Sequence, residues 1–213
     1  MSTPDKSICV VDTCSLLYAA QIQLKNVKVF DWLLEKYKVF VCPTVKFECL
    51  DNIQRNRVQL EDPARVKSEI SNLNFEDDCP QCLEYIDEFC NRKGLTKFFK
   101  VDDGERHTFA LAMYLSINLK EPLVLMTEDL AALEAFNEIL TEQKFGVAKS
   151  LPDFIINLFQ STESIDENGT RRAIQSYYNI ATKAPLRKRI FDPRMELNCR
   201  SFWIENCANS CFS

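Results

Sequence analysis

Short apolar runs, each ended by a polar residue and followed at once by a helix-like pattern, constrain this 213-residue chain more than any other feature. Ile8-Cys9-Val10-Val11 reaches Asp12-Thr13 and gives way to a Leu-rich helical stretch over 14–20, with a second helix expected around Val27 to Tyr37. Val39-Phe40-Val41-Cys42 stops at Pro43, and a helix through Val45, Glu48, Cys49 and Ile53 begins within a turn. Phe98-Phe99-Lys100-Val101 leads through Asp102-Asp103-Gly104-Glu105 into an apolar helix from Phe109 to Ile117. Leu123-Val124-Leu125-Met126 runs into Thr127-Glu128-Asp129 and an amphipathic helix over 130–140, and Phe145–Ala148 precedes a core-facing helix over 151–159. Continuous apolar runs of this length read as strands buried on both faces. Their alternation with helices predicts a parallel sheet covered on both sides, an α/β fold. Residues 54–97 carry no strong strand signal and read as a helical insertion.

Composition narrows the function. Only four glycines occur, at 94, 104, 146 and 169, too few for a phosphate-cradling loop or a dinucleotide fingerprint. Phosphate would have to be held by metal or by basic side chains. Net charge is −5, with 24 acids and 18 bases in residues 1–150 against 7 and 8 in residues 151–213. Acidity is concentrated where the strand-end carboxylates lie. No basic-then-apolar leader and no membrane-length apolar run is present, which predicts a soluble, cytoplasmic protein with no membrane partner. Ten cysteines in a chain of this length without a secretory signal predict reduced thiols. Cys79-Pro80-Gln81-Cys82, with Cys90 beyond, is half of a zinc knuckle; a structural site wants four ligands, and zinc is not expected.

Carboxylates fall at or just past strand ends three times, at Asp12, in the 102–105 cluster and at Asp129, while Glu48 follows a fourth strand on its helix. In a parallel sheet these ends share one edge, the edge where ligands bind in open α/β folds. Carboxylates gathered there repel one another unless cations neutralise them. Hard, oxygen-preferring Mg²⁺ or Mn²⁺ suits such a set, and such ions serve phosphodiester cleavage. Each residue also has a plain reading: Asp12 and Asp129 as helix caps, Glu48 as a helix-surface acid.

The order Val10-Val11-Asp12-Thr13, Glu48, Gly104-Glu105 with Ala110-Leu111-Ala112, and Leu125-Met126-Thr127-Glu128-Asp129 resembles the PIN domain, a family made up largely of metal-dependent ribonucleases, over roughly residues 6–160. The resemblance implies a three-layer α/β/α sandwich around a parallel sheet of about five strands. It implies an acidic tetrad of Asp12, Glu48, Glu105 and Asp129 that binds Mg²⁺ or Mn²⁺ and supports hydrolysis of RNA, leaving a 5′-phosphate. Thr127 matches a supporting hydroxyl residue, Asp103 is a substitute for Glu105, and Glu128 reads as an outward neighbour. Toxin-like members imply an inhibitor or antitoxin-like protein or a second copy, as a homodimer, among the partners. The competing reading is a PIN-like module that binds RNA or protein without cutting.

Residues 1–160 are therefore the expected nuclease domain, and 161–213 a linker and a basic, Cys-containing extension. Residues 171–194 hold seven bases against one acid, among them Arg171, Arg172, Lys183, Arg187, Lys188 and Arg189, interleaved with Tyr177, Tyr178 and Phe191. That mixture fits single-stranded RNA through phosphate contact and stacking, although most charge runs are solvated surface. His107, the lone histidine, reads as a helix-surface residue, since a metal-activated water needs no histidine base. An aspartyl phosphatase would need a second aspartate at position 14, which is Cys14. A receiver domain would need a lysine after the last strands, and none is suitably placed.

Overall fold

The computed structural model describes residues 6–75, 80–94 and 103–183. The chain divides into units Met1–Tyr177 and Tyr178–Ser213, the second described only through residue 183. The first unit is built on a parallel sheet. Its strands are β1 (Ser7–Val11), β4 (Tyr37–Val41), β6 (Leu123–Met126) and β7 (Gly146–Lys149), in the order β4-β1-β6-β7. Beyond β4, the two-residue β5 (Asn74–Phe75) pairs parallel with Phe40 and Val41, inside the segment expected to lack strands. The side-chain amide of Asn74 donates to Val39 O at 2.9 Å and helps to seat it. Residues 98–101, expected as a strand, lie outside the described residues. The fold is α/β, with helices arranged consistently with three layers.

Local chemistry sets the helix starts. Helix α1 (Thr13–Gln21) opens on Asp12, whose side chain accepts from Ser15 N, and α7 (Leu130–Glu142) opens likewise on Asp129. Orphan amides at a helix N-terminus are satisfied this way. Pro43 starts α3 (Pro43–Gln54) and Pro63 starts α4 (Pro63–Asn72), each in the first turn where a missing N–H costs nothing. Ser150 and Asp153 close a capping box on α8 (Leu151–Ser161). The helix expected over 27–37 is shorter, because Val27–Lys28 (β3) pairs with Gln23–Leu24 (β2) and Tyr37 already belongs to β4; α2 is Val29–Lys36. The expected insertion holds α4 and α5 (Pro80–Lys93), and α6 (Asp103–Leu119) packs against β1, β6, α3 and α5.

The front of α9 (Glu167–Lys183) belongs to the first unit, which therefore runs past the boundary expected at 160. Thr170, Ala173, Ile174 and Tyr177, one stripe at helical spacing, are all buried. At the sheet edge Gly146 has φ +147°, and an added Cβ would meet Leu123 O at 2.0 Å, so only glycine fits there.

Register places the site. Val11 pairs with Met126, Asp12 N donates to Met126 O at 3.0 Å, and Thr127 N donates to Lys149 O at 3.0 Å. The ladder thus continues past the strand ends and sets Asp12 beside Thr127. Cys9 and Cys49 are buried free thiols. In the core, Phe109 of α6 and Phe136 of α7 stack at 4.2 Å between centroids and 6° between planes. Both are fully buried, so Phe136→Ala should cost about 3–5 kcal/mol, read from urea unfolding.

Candidate functional site

Asp12 is 4% exposed, and hydrogen bonds compensate its burial. Its Oδ1 accepts from Ser15 N at 2.6 Å; its Oδ2 accepts from Thr127 Oγ1 at 2.8 Å and from Glu128 N at 3.2 Å. Thr127 is buried, and its Oγ1 also accepts from Asp129 N at 3.3 Å. One hydroxyl therefore links the two strand-end aspartates. Asp129 is half-buried and caps α7, its Oδ1 accepting from Ala132 N at 2.8 Å.

A second threonine brings in Glu48. Thr13 Oγ1 donates to Glu48 Oε2 at 2.5 Å, which holds α3 against the start of α1. Glu48 is half-buried and directed at the Asp12 end of the fold, not a freely solvated helix residue. Below it, Cys49 Sγ lies 3.9 Å from Thr13 O. Burial, reinforced by Asp12, pushes the Cys49 thiol well above its ordinary range, so it stays protonated.

Glu105 stands half-buried in the first turn of α6. One turn on, Thr108 Oγ1 donates to Gly104 O at 2.8 Å and lies 3.7 Å from Cys42 Sγ at the end of β4. Arg106 pairs with Asp87 of α5 at 2.5 Å and anchors the same turn from the other side. Asp103 opens α6, its side chain outside the described part. His107 is half-buried on α6.

The structure thus joins Asp12, Thr127 and Asp129 in one hydrogen-bonded set, attaches Glu48 through Thr13, and sets Glu105 on an adjoining helix. The donor set is oxygen throughout and fits a hard divalent cation in kind. Among the described residues, no three His, Cys, Asp or Glu side chains are grouped closely enough to hold a metal ion.

Two sequence expectations are corrected here. Glu128 does not face outward: it is 2% exposed, and its Oε1 accepts from Ser15 Oγ at 3.0 Å and from Leu151 N at 2.7 Å. Its Oε2 accepts from the Tyr177 hydroxyl at 2.5 Å. Donors from three other elements, Ser15 of α1, Leu151 of α8 and Tyr177 of α9, hold the side chain inward. Tyr177 is buried against that carboxyl and edge-on to Tyr18 at 5.9 Å, so it offers no face to a base.

Arg171 and Arg172 are exposed on the opposite side of α9, and Arg171 pairs with Glu167 one turn back. Lys183 ends α9 with its side chain outside the described part; Arg187, Lys188 and Arg189 lie outside the described residues altogether. Cys79 lies there too, and Cys82 is a buried thiol. Among the described residues, no helix is long and apolar enough to cross a membrane.

No protein-family model matches the chain, and no curated protein matches it. Among solved structures the chain is similar to PAE2754 from Pyrobaculum aerophilum, at 18% identity over 73% of this chain and 97% of that one, with a TM-score of 0.44. A likeness at that level says nothing about chemistry.

Burial and the neighbouring Asp12 carboxylate push the Glu128 carboxyl up to about 7, against the lowering effect of its Tyr177, Leu151 and Ser15 bonds. The folded protein therefore holds this proton where the unfolded chain, near 4.5, has released it. Stability from this group is present below 4.5 and is lost as pH rises to about 7, by on the order of a few kcal/mol. Glu128→Gln mimics the protonated form. The stability difference between wild type and Glu128→Gln, from urea titrations in EDTA, should shift in the variant's favour between pH 5 and 7.5. A difference independent of pH would show that the proton is held elsewhere.

Proposed function

We propose that this protein is a Mg²⁺- or Mn²⁺-dependent nuclease, a PIN-like ribonuclease acting on single-stranded or structured RNA. The observation that supports the reading is the Asp12–Thr127–Asp129 set at the ends of adjacent parallel strands, with Glu48 tied in through Thr13. On this reading Asp12 and Asp129 are the principal ligands, and Glu48 and Glu105 complete the acidic shell. The PIN-like fold would extend to about five strands in all. A bound divalent ion supplies Lewis acidity, which activates water and offsets charge on the phosphate oxygens.

The residues do the rest. Thr127 holds its hydroxyl hydrogen on Asp12 Oδ2, which leaves further lone pairs of both aspartates for a cation. Thr13 fixes Glu48 Oε2 and leaves Oε1 to orient an incoming water. The carboxylates repel a polyanion, so substrate attraction falls to basic side chains elsewhere. Arg171 and Arg172 are exposed. Residues 184–213 add five more bases, Arg187, Lys188, Arg189, Arg194 and Arg200. Deleting 184–213 keeps Tyr177 and should flatten the log-affinity against log-salt slope for single-stranded RNA, by about 0.7 for every phosphate those bases neutralise. An inhibitor protein or a second copy as partner belongs to this proposal only through the family resemblance.

A second reading has its own support. Asp12 and Asp129 both cap helices, which a silent RNA- or protein-binding module would need as much as an enzyme. Asp129→Asn separates the two, because asparagine caps as well as aspartate but brings no charge. The variant should keep its unfolding midpoint and lose metal-dependent cleavage of a mixed RNA and DNA pool by on the order of a hundredfold or more. Wild-type turnover by Asp129→Asn, or wild-type cleavage that persists in EDTA, would remove the metal-nuclease reading.

A further inference from the structure

Glu128 is placed to act on Asp12 by two separate routes. Its backbone N–H donates to Asp12 Oδ2 at 3.2 Å. Its carboxyl Oε1 accepts from Ser15 Oγ at 3.0 Å, and Ser15 N donates to Asp12 Oδ1 at 2.6 Å. The three residues close a ring in which each Asp12 oxygen is reached from a different part of Glu128. Asp12, Ser15 and Glu128 are all nearly inaccessible, so solvent cannot substitute for a missing bond.

What holds Glu128 comes from late in the chain. Leu151 N, at the first residue of α8, donates to Oε1 at 2.7 Å, and the Tyr177 hydroxyl donates to Oε2 at 2.5 Å. The Tyr177 ring is 4% exposed and meets Tyr18 of α1 edge-on, with centroids 5.9 Å apart. Tyr177 thus touches both the helix that Asp12 caps and the carboxyl that braces Asp12. A phenol serving only to fill the core would not need its hydroxyl satisfied by this particular acid.

We propose that Tyr177 and Glu128 form a positioning latch, in which docking of α9 fixes the orientation of the Asp12 carboxylate and thereby its fitness to take a divalent cation. Neither residue touches the cation or the substrate; both act through Ser15 and the residue 127–128 backbone. The inference rests on the metal-site reading above, which gives the orientation of Asp12 its consequence. It makes residues beyond 160 part of the site machinery.

The test uses the full chain with Asp ¹³Cγ labelling, the Asp12 resonance being assigned by Asp12→Asn. Tyr177→Phe removes only the hydroxyl and keeps the edge-on ring. Ser15→Ala breaks the Oγ bond to Glu128 but keeps the Ser15 N–H on Asp12, and it carries the test if Tyr177→Phe does not fold. In metal-free protein either variant should move the Asp12 resonance while leaving that of Asp153, which belongs to the α8 capping box, in place. Mn²⁺ affinity, measured by calorimetry, should fall about tenfold, the scale on which groups that orient a metal ligand are felt. An unmoved Asp12 resonance overturns the latch, and so does a moved resonance with undiminished Mn²⁺ affinity. A resonance that moves in the variants, together with a wild-type protein that binds no Mn²⁺, upholds the latch as a carboxylate clamp and sinks the metal reading instead.

Discussion

A buried aspartate at the end of the central strand organises this molecule. Burying a carboxylate is costly unless donors surround it, and Asp12 has three, each from a different local structure. Ser15 N is the N-terminal donor of α1, Thr127 Oγ1 is the residue after β6, and Glu128 N starts the turn into α7. Meeting the needs of one side chain therefore fixes the relation of β1, β6, α1 and α7. Most of the architecture around the site follows. The β1–β6 register brings Thr127 alongside, and Thr127 passes the connection to Asp129.

Around that aspartate the polar chemistry is conspicuously acidic. Asp12 and Glu128 are both buried and both accept from Ser15, one from its N–H and the other from its hydroxyl, while the half-buried Glu48 and Asp129 are tied in through Thr13 and Thr127. A fold selected for stability alone could cap α1 with serine or asparagine, which serve as well as aspartate without adding charge. It could also seat Tyr177 against a backbone carbonyl rather than an acid. Acidic groups at both places leave the site short of positive charge, and the hydrogen bonds offset that shortage only in part, as the elevated Glu128 carboxyl shows. On the metal-nuclease proposal, a divalent cation at these carboxylates would offset that charge.

Much of this was legible in the sequence. The strands at 7–11, 37–41, 123–126 and 146–149 stand where the apolar runs predict them, since a strand buried on both faces leaves an uninterrupted signature. Asp12, Thr127 and Asp129 are readable for the same reason: a residue just past a buried strand has few places to go. Glu128 was not readable. Its orientation depends on the turn from β6 into α7, and its partners Ser15, Leu151 and Tyr177 are separated from it by 113, 23 and 49 positions. No local pattern encodes pairs that distant. The two-residue β5 was hidden as well, because Asn74 and Phe75 are too short a stretch to make an apolar run.

Tyr177 shows how a true local signal can be outweighed. The basic composition of 171–194 invites a nucleic-acid reading of the whole segment, and two tyrosines among the bases strengthen it. Yet Thr170, Ala173, Ile174 and Tyr177 recur at intervals of three and four, the spacing of one helical face. Those four residues are buried, and the arginines between them, 171 and 172, face away. Periodicity and composition were answering different questions about the same helix, one about its inner face and one about its outer. Once they are separated, the buried stripe of α9 belongs to the packing around Glu128, and on the proposed function the attraction of a polyanion would fall to its outer face and to the bases beyond it. Position and charge then divide cleanly: the same helix that braces the carboxylates inside can present arginines outside, because a helix one turn wide keeps the two faces about 10 Å apart.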